Sequence, residues 1–151
     1  MNIDNRSMLV EAAKSLRHRL EQGFGPETAA QGFQGTTPST GQCAAASTII
    51  HRILGGELVS ARVSGVSHWF NRITIGDKQV DLDLTGDQFG FPPIQISEAG
   101  HLYDSSRVRL PGELNVETLC RARLLAERAH LAEAQDAIAQ TLRERATKGN
   151  L

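Results

Sequence analysis

Residues 41–90 read GQCAAASTIIHRILGGELVSARVSGVSHWFNRITIGDKQVDLDLTGDQFG and carry one helix pattern followed by three strand patterns. Cys43, Ser47, Ile50 and Leu54 recur at helical spacing, so the pattern predicts a helix from about Gly41 to Leu54, capped by Ser39 or Thr40 and ended by Gly55 and Gly56. ELVSARV, SHWFNRITI and QVDLDLT then read as strands, and Gly76-Asp77-Lys78 as the tight turn joining the last two. Cysteine at a helix start, histidine on one strand and aspartates on the next are the residue types required for a thiol nucleophile, an imidazole base and a carboxylate orienter.

Strand parity sharpens this grouping. His68, Phe70, Arg72 and Thr74 share one face of their strand, and Trp69, Asn71, Ile73 and Ile75 share the other. A two-residue turn puts odd residues of the second arm opposite even residues of the first, which brings both Asp81 and Asp83 to the face of His68. Distance from the turn favours Asp83, although neither register sets it directly opposite His68, so strand twist or a bulge must complete the contact. Asn71 is expected to brace the fold and Trp69 to lie in the core.

Working outward, Ser7 is expected to cap a helix to about Gln22, with Met8, Leu9, Ala12, Ala13, Leu16 and Leu20 on its apolar side. FGPETAAQGFQGTTPSTG, residues 24–41, reads as a surface loop that delivers Cys43 to its helix. Beyond Thr85, Ile94 and Ile96 give a short edge strand or extended loop, and His101, Tyr103 and Asp104 are candidates for the rim of a substrate cleft. From Asn115 a helical region begins, with Val116, Cys120, Leu124, Leu131, Ile138 and Leu142 as its stripe, either as one helix or as two broken near His130. Cys120 is expected in the core, the half beyond residue 131 as an extension able to pair with another copy of the chain, and the closing ATKGNL as frayed.

Composition bounds the classes of function. The chain has 151 residues, enough for one domain with one core, here about 7–130 plus a helical extension at about 131–148. It is 40% hydrophobic and 22% charged with a formal net charge of −1, which gives no electrostatic reason to expect nucleic acid or an anionic membrane. No run has signal-peptide or membrane-span character, so the expected location is the cytoplasm. Two cysteines, Cys43 and Cys120, are too few for a disulfide framework and lack zinc spacing. No cofactor is expected.

Residues 25–90 resemble the bacterial YunG family. The matching positions are Gly41, Gln42 and Cys43; Gly55 and Gly56; His68, Trp69, Phe70 and Asn71; and Asp83, Leu84, Thr85, Gln88 and Phe89. The family's order of Cys, His and Asp is in turn similar to that of papain-like and transglutaminase-like thiol enzymes. The resemblance implies an α+β fold, with a Cys-bearing helix packed on a small antiparallel sheet between flanking helices. By that analogy Cys43 is the nucleophile, His68 the base and Asp83 the group that fixes the imidazole, while the backbone N–H of Cys43 and the side-chain amide of Gln42 form the oxyanion site. Gln42 adjoins Cys43, whereas the papain-like glutamine stands several residues ahead of its cysteine. The expected substrate is a peptide, protein or small amide, attacked through an acyl-enzyme in hydrolysis, deamidation or acyl transfer. Two other classes stand beside this reading: an interaction module that binds or self-associates through its C-terminal helix, and a metal site built from Cys43, His68 and an aspartate.

Overall fold

The computed structural model describes residues 2–32 and 35–148. Four helices, α1 (Arg6–Gly23), α2 (Cys43–Leu54), α3 (Val116–Arg128) and α4 (Ala132–Thr147), accompany five strands, β1 (Glu57–Val63), β2 (Val66–Ile75), β3 (Lys78–Asp83), β4 (Gln95–Glu98) and β5 (Arg107–Arg109). The fold is α+β. The strands form one antiparallel sheet in the order β4-β3-β2-β1-β5. The β2–β3 hairpin turns at Gly76-Asp77, pairs Ile75 with Lys78 and sets Arg72 opposite Asp81. Odd and even residues therefore face each other as parity requires.

Alternation along the strands divides the apolar residues between the two faces of the sheet. Leu58, Ile73, Val80 and Leu82 join the main core with Leu9, Leu16 and Leu20 of α1, Ile49 and Ile50 of α2, and Leu119 and Leu125 of α3. Val59, Ala61, Val63 and Phe70 point the other way and form a second cluster with Tyr103, Phe89 and Leu102. One face is thus covered by helices, and the other by the connections on either side of β4. Gly56 links the helix layer to the sheet. Its φ is +74° and a Cβ there would stand 2.2 Å from the Arg72 carbonyl oxygen, so only glycine fits.

Several boundaries differ from expectation, each for a local reason. Asn5, not Ser7, caps α1, its side chain accepting from Met8 N at 2.9 Å. α2 begins at Cys43 rather than Gly41 and has no side-chain cap, because the Ser39 hydroxyl is engaged by Asp87 at 2.7 Å while Gln42 N turns back to Ser39 O. The region after Asn115 is two helices, with His130 at φ 57° between them.

The expected apolar stripe of this region is also shifted. Leu119, Ala122, Leu125 and Ala126 are the buried apolar residues of α3, and Cys120 is exposed, which corrects its assignment to the core. Side chains spaced strictly by four drift around a helix of 3.6 residues per turn, and here the alanines let the adjacent line pack closely. α4 does not project as an extension. It folds back so that Ala134 and Ile138 enter the main core, with Leu131 and Leu142 packed against it. Of the closing residues expected to fray, Ala146 and Thr147 are still helical, and 149–151 lie outside the described residues. No described helix is long and apolar enough to cross a membrane.

Candidate active site

Cys43 is the first residue of α2, and Ala46 N makes the first helical hydrogen bond, to Gln42 O at 2.9 Å. The N–H groups of Cys43, Ala44 and Ala45 are therefore the unpaired donors of a helix N-terminus, where the helix dipole is positive. α2 is held to the sheet by Asn71, whose side-chain amide donates to Ser47 O at 3.0 Å from the face of β2 opposite His68.

His68 lies on the face of Phe70 and is fully buried. Its Nε2 meets Asp83 Oδ2 at 2.7 Å. Its Nδ1 has no hydrogen-bond partner among the described residues, and the Cys43 thiol is close enough to the ring to act on its proton affinity. Burial alone would lower the pKa of His68, but the hydrogen bond to Asp83, then the interaction with Cys43 and the negative charges of both, raise it from 6.5 to about 9. A ring with that proton affinity, fixed by a carboxylate on one nitrogen, leaves the other nitrogen to exchange a proton with the thiol.

Asp83 is held from every side. Oδ1 accepts from Thr85 N at 2.9 Å and from the Thr85 hydroxyl at 3.3 Å. Oδ2 accepts from His68 and from the Tyr103 hydroxyl, which in turn accepts from Gln95 Nε2 at 2.8 Å. Asp81 is occupied elsewhere, by Arg72 Nε at 2.7 Å and Gly100 N at 2.9 Å. Gln42 has its amide donating to Gly25 O at 2.9 Å, so it ties down the loop ahead of Cys43.

A second polar cluster fastens the segment after β3. The buried Arg17 donates from Nη1 to Leu84 O (2.6 Å) and to Asp87 Oδ1 (2.9 Å), and from Nη2 to Asp87 Oδ2 (2.7 Å). Asp87 also accepts from Ser39, and Gln88 accepts from Gly41 N at 3.2 Å. Burial would raise the pKa of Asp87, but the hydrogen bonds from Arg17 and Ser39 and the Arg17 charge outweigh it, and the carboxyl is held below its ordinary value. The loop that carries Cys43 and the segment that follows Asp83 are thereby locked to one guanidinium.

The sequence reading brought Cys43, His68 and Asp83 together, and gave Tyr103 only as a rim residue. His101 and Asp104 are exposed, and His101 pairs with Glu98 at 3.1 Å. Gln95, Arg17, Ser39 and Asp87 were missed. Gln95 was legible in principle from the alternation of Ile94 and Ile96, which sets it on the other face. Partners 48 and 70 residues apart in sequence, like those of Asp87, leave no local signal.

The thiol and imidazole are covered. Cys43 is 2% exposed, and the Phe89 ring stands edge-on to His68 with centroids 4.9 Å apart. An open groove of about 880 Å³ elsewhere, lined by Arg6, Lys78, Glu98 and His101 among others, contains none of the three residues. Among the described residues no cluster of three or more His, Cys, Asp or Glu side chains is arranged to hold a metal ion.

Comparison with known proteins gives one family match. The family model described as "YunG protein" matches residues 12–129. No curated protein and no solved structure matches the chain.

Proposed function

The chain belongs to the YunG family, and on that premise, together with the contacts of its buried imidazole, we propose that it is a thiol enzyme of papain-like or transglutaminase-like type acting on an amide or ester. The observation that carries this reading is the 2.7 Å bond between His68 Nε2 and Asp83 Oδ2, on a ring that the Cys43 thiol is near enough to influence. A histidine serving only as packing would not need a carboxylate saturated with donors behind it.

In this reading the Cys43 proton has already passed to His68, whose ring holds its proton up to about pH 9, so Sγ attacks the acyl carbon as a thiolate while Asp83 stabilises the imidazolium beside it. The oxyanion forms at the first turn of α2, where the backbone N–H groups and the helix dipole favour negative charge. His68 then returns the proton to the leaving nitrogen or oxygen, the C–N or C–O bond breaks, and a thioester remains on Cys43. Water or another nucleophile loses its proton to His68 and attacks the thioester, and the C–S bond breaks to restore the Cys43 thiolate beside the His68 imidazolium. A peptide, protein or small-amide substrate reaches Cys43 once Phe89 moves aside.

The test is intact-mass detection of an adduct after incubation with a panel of small amides, esters and peptides, in native protein and in Cys43→Ser and His68→Ala variants. An acyl adduct on native protein that both variants lose supports the reading. Absence of His68-dependent reactivity at Cys43 toward any electrophile would overturn it.

A further inference from the structure

We propose that Tyr103, backed by Gln95, is a positioning residue that acts through Asp83 to set how tightly His68 holds its proton. This inference rests on the thiol-enzyme reading for its purpose, but not for its measurement.

The direction of the hydrogen bonds follows from chemistry. The Gln95 side-chain nitrogen can only donate, and it lies 2.8 Å from the Tyr103 oxygen. The single hydroxyl proton of Tyr103 is therefore free to go to Asp83 Oδ2, the same oxygen that accepts from His68. The phenol and the imidazole compete for one carboxylate oxygen. Meanwhile Thr85 holds Oδ1 independently, so the carboxylate keeps its orientation without Tyr103. What the phenol adds is a second claim on the negative charge. Donation from Gln95 polarises the phenol O–H and strengthens that claim.

The backbone is shaped around this cluster. Gly86 is buried, and a Cβ on it would lie 2.4 Å from Gln95 Nε2 and 2.9 Å from both Asp83 Oδ2 and the Tyr103 oxygen. Three polar atoms converge on a site where no side chain fits. The Tyr103 ring also stands edge-on to His68 and to Phe70, which locates the hydroxyl. The ionisable groups acting on His68 are Asp83 from β3 and Cys43 from α2, and Tyr103 reaches it through Asp83.

The experiment is an NMR titration of the His68 ring in the full chain, assigned with His68→Gln, in native protein and in Tyr103→Phe and Gln95→Met. The same samples are alkylated with iodoacetamide at each pH, in a Cys120→Ser background. With the phenol gone, Asp83 acts on His68 alone, so the ring should lose its proton at higher pH in Tyr103→Phe. Gln95→Met should give a smaller shift in the same direction. The alkaline limb of His68-dependent Cys43 alkylation should move with them. An unchanged or lowered His68 titration in a folded Tyr103→Phe overturns the inference, as does an unchanged titration in Gln95→Met if Tyr103→Phe does not fold. If native Cys43 alkylation is independent of His68, the thiol-enzyme reading fails, while the order of the three titrations still decides the role of Tyr103.

Discussion

His68 and Asp83 are hydrogen-bonded at 2.7 Å although they are not register partners. The β2–β3 ladder pairs Asn71 with Leu82, and its continuation sets Asp83 opposite Phe70, one same-face position short of His68. The contact is a diagonal one, within reach of long side chains on a twisted pair, and the paired stretch of the hairpin contains no bulge. Since the carboxylate is also fixed by Thr85 and Tyr103, the diagonal bond is built rather than incidental.

The two aspartates should separate by kind of damage. Asp83→Asn is expected to lower His68-dependent reactivity of Cys43 by about a hundredfold or more, because an amide can hold the wrong tautomer of the ring. Asp81→Asn removes a charge from a buried pair with Arg72 and should lower thermal stability with little effect on Cys43. Alkylation rates from peptide mass spectrometry and melting curves on both variants check this, and the reverse pattern would show that Asp81 orients the ring.

The two cysteines should differ in access. Cys120 is exposed and Cys43 is buried, so a bulky maleimide should modify Cys120 first in native protein. The reactivity of Cys43 is therefore compared within Cys120→Ser. There, Phe89→Ala should speed Cys43 labelling, more for large reagents than for small ones. Equal acceleration for both sizes would mean that Phe89 does not cover the thiol.

Stability should fall in mildly alkaline solution. The folded pKa of His68, about 9, lies above its ordinary 6.5, so its contribution is fully present below about pH 6.5 and is lost as pH rises through about 9. A rise of that size corresponds to about 3 kcal/mol, and His68→Gln should flatten this part of the profile. Urea midpoints between pH 6 and pH 10 would measure it. A native midpoint that is flat over this range, or that rises, would contradict the assigned protonation.

Tyr103 is the single tyrosine of the chain, so its ionisation can be read directly in the ultraviolet. Burial, then the charge of Asp83 and the hydrogen bond to it, push its pKa upward. Tyrosinate absorbance should appear only as the protein unfolds at high pH. Its appearance in folded protein near the ordinary tyrosine pKa would break the contact between Tyr103 and Asp83.

Removal of α4 should unfold the domain. Ile138 is fully buried in the main core, and Ile138→Ala is expected to cost about 2–5 kcal/mol. Truncation after His130 should give a protein without a cooperative melt. A folded truncated chain with altered oligomeric mass would instead favour self-association through this helix.

The sequence by itself determined what is local or periodic. Helix spacing placed Cys43 at the start of α2, alternation assigned the three central strands, and the turn at Gly76-Asp77 fixed the parity that brings Asp83 to the face of His68. It did not determine which line of α3 packs, because Leu119 and Cys120 begin nearly equivalent stripes and only the surface they meet distinguishes them. Nor did it reveal Tyr103, Gln95 and the Arg17–Asp87–Ser39 cluster. These are single polar side chains brought together from distant segments, and no periodicity records them. Only the tertiary structure decides such contacts, because a buried polar group must find its partner wherever the chain has folded, and that requirement leaves no trace in the spacing of neighbours.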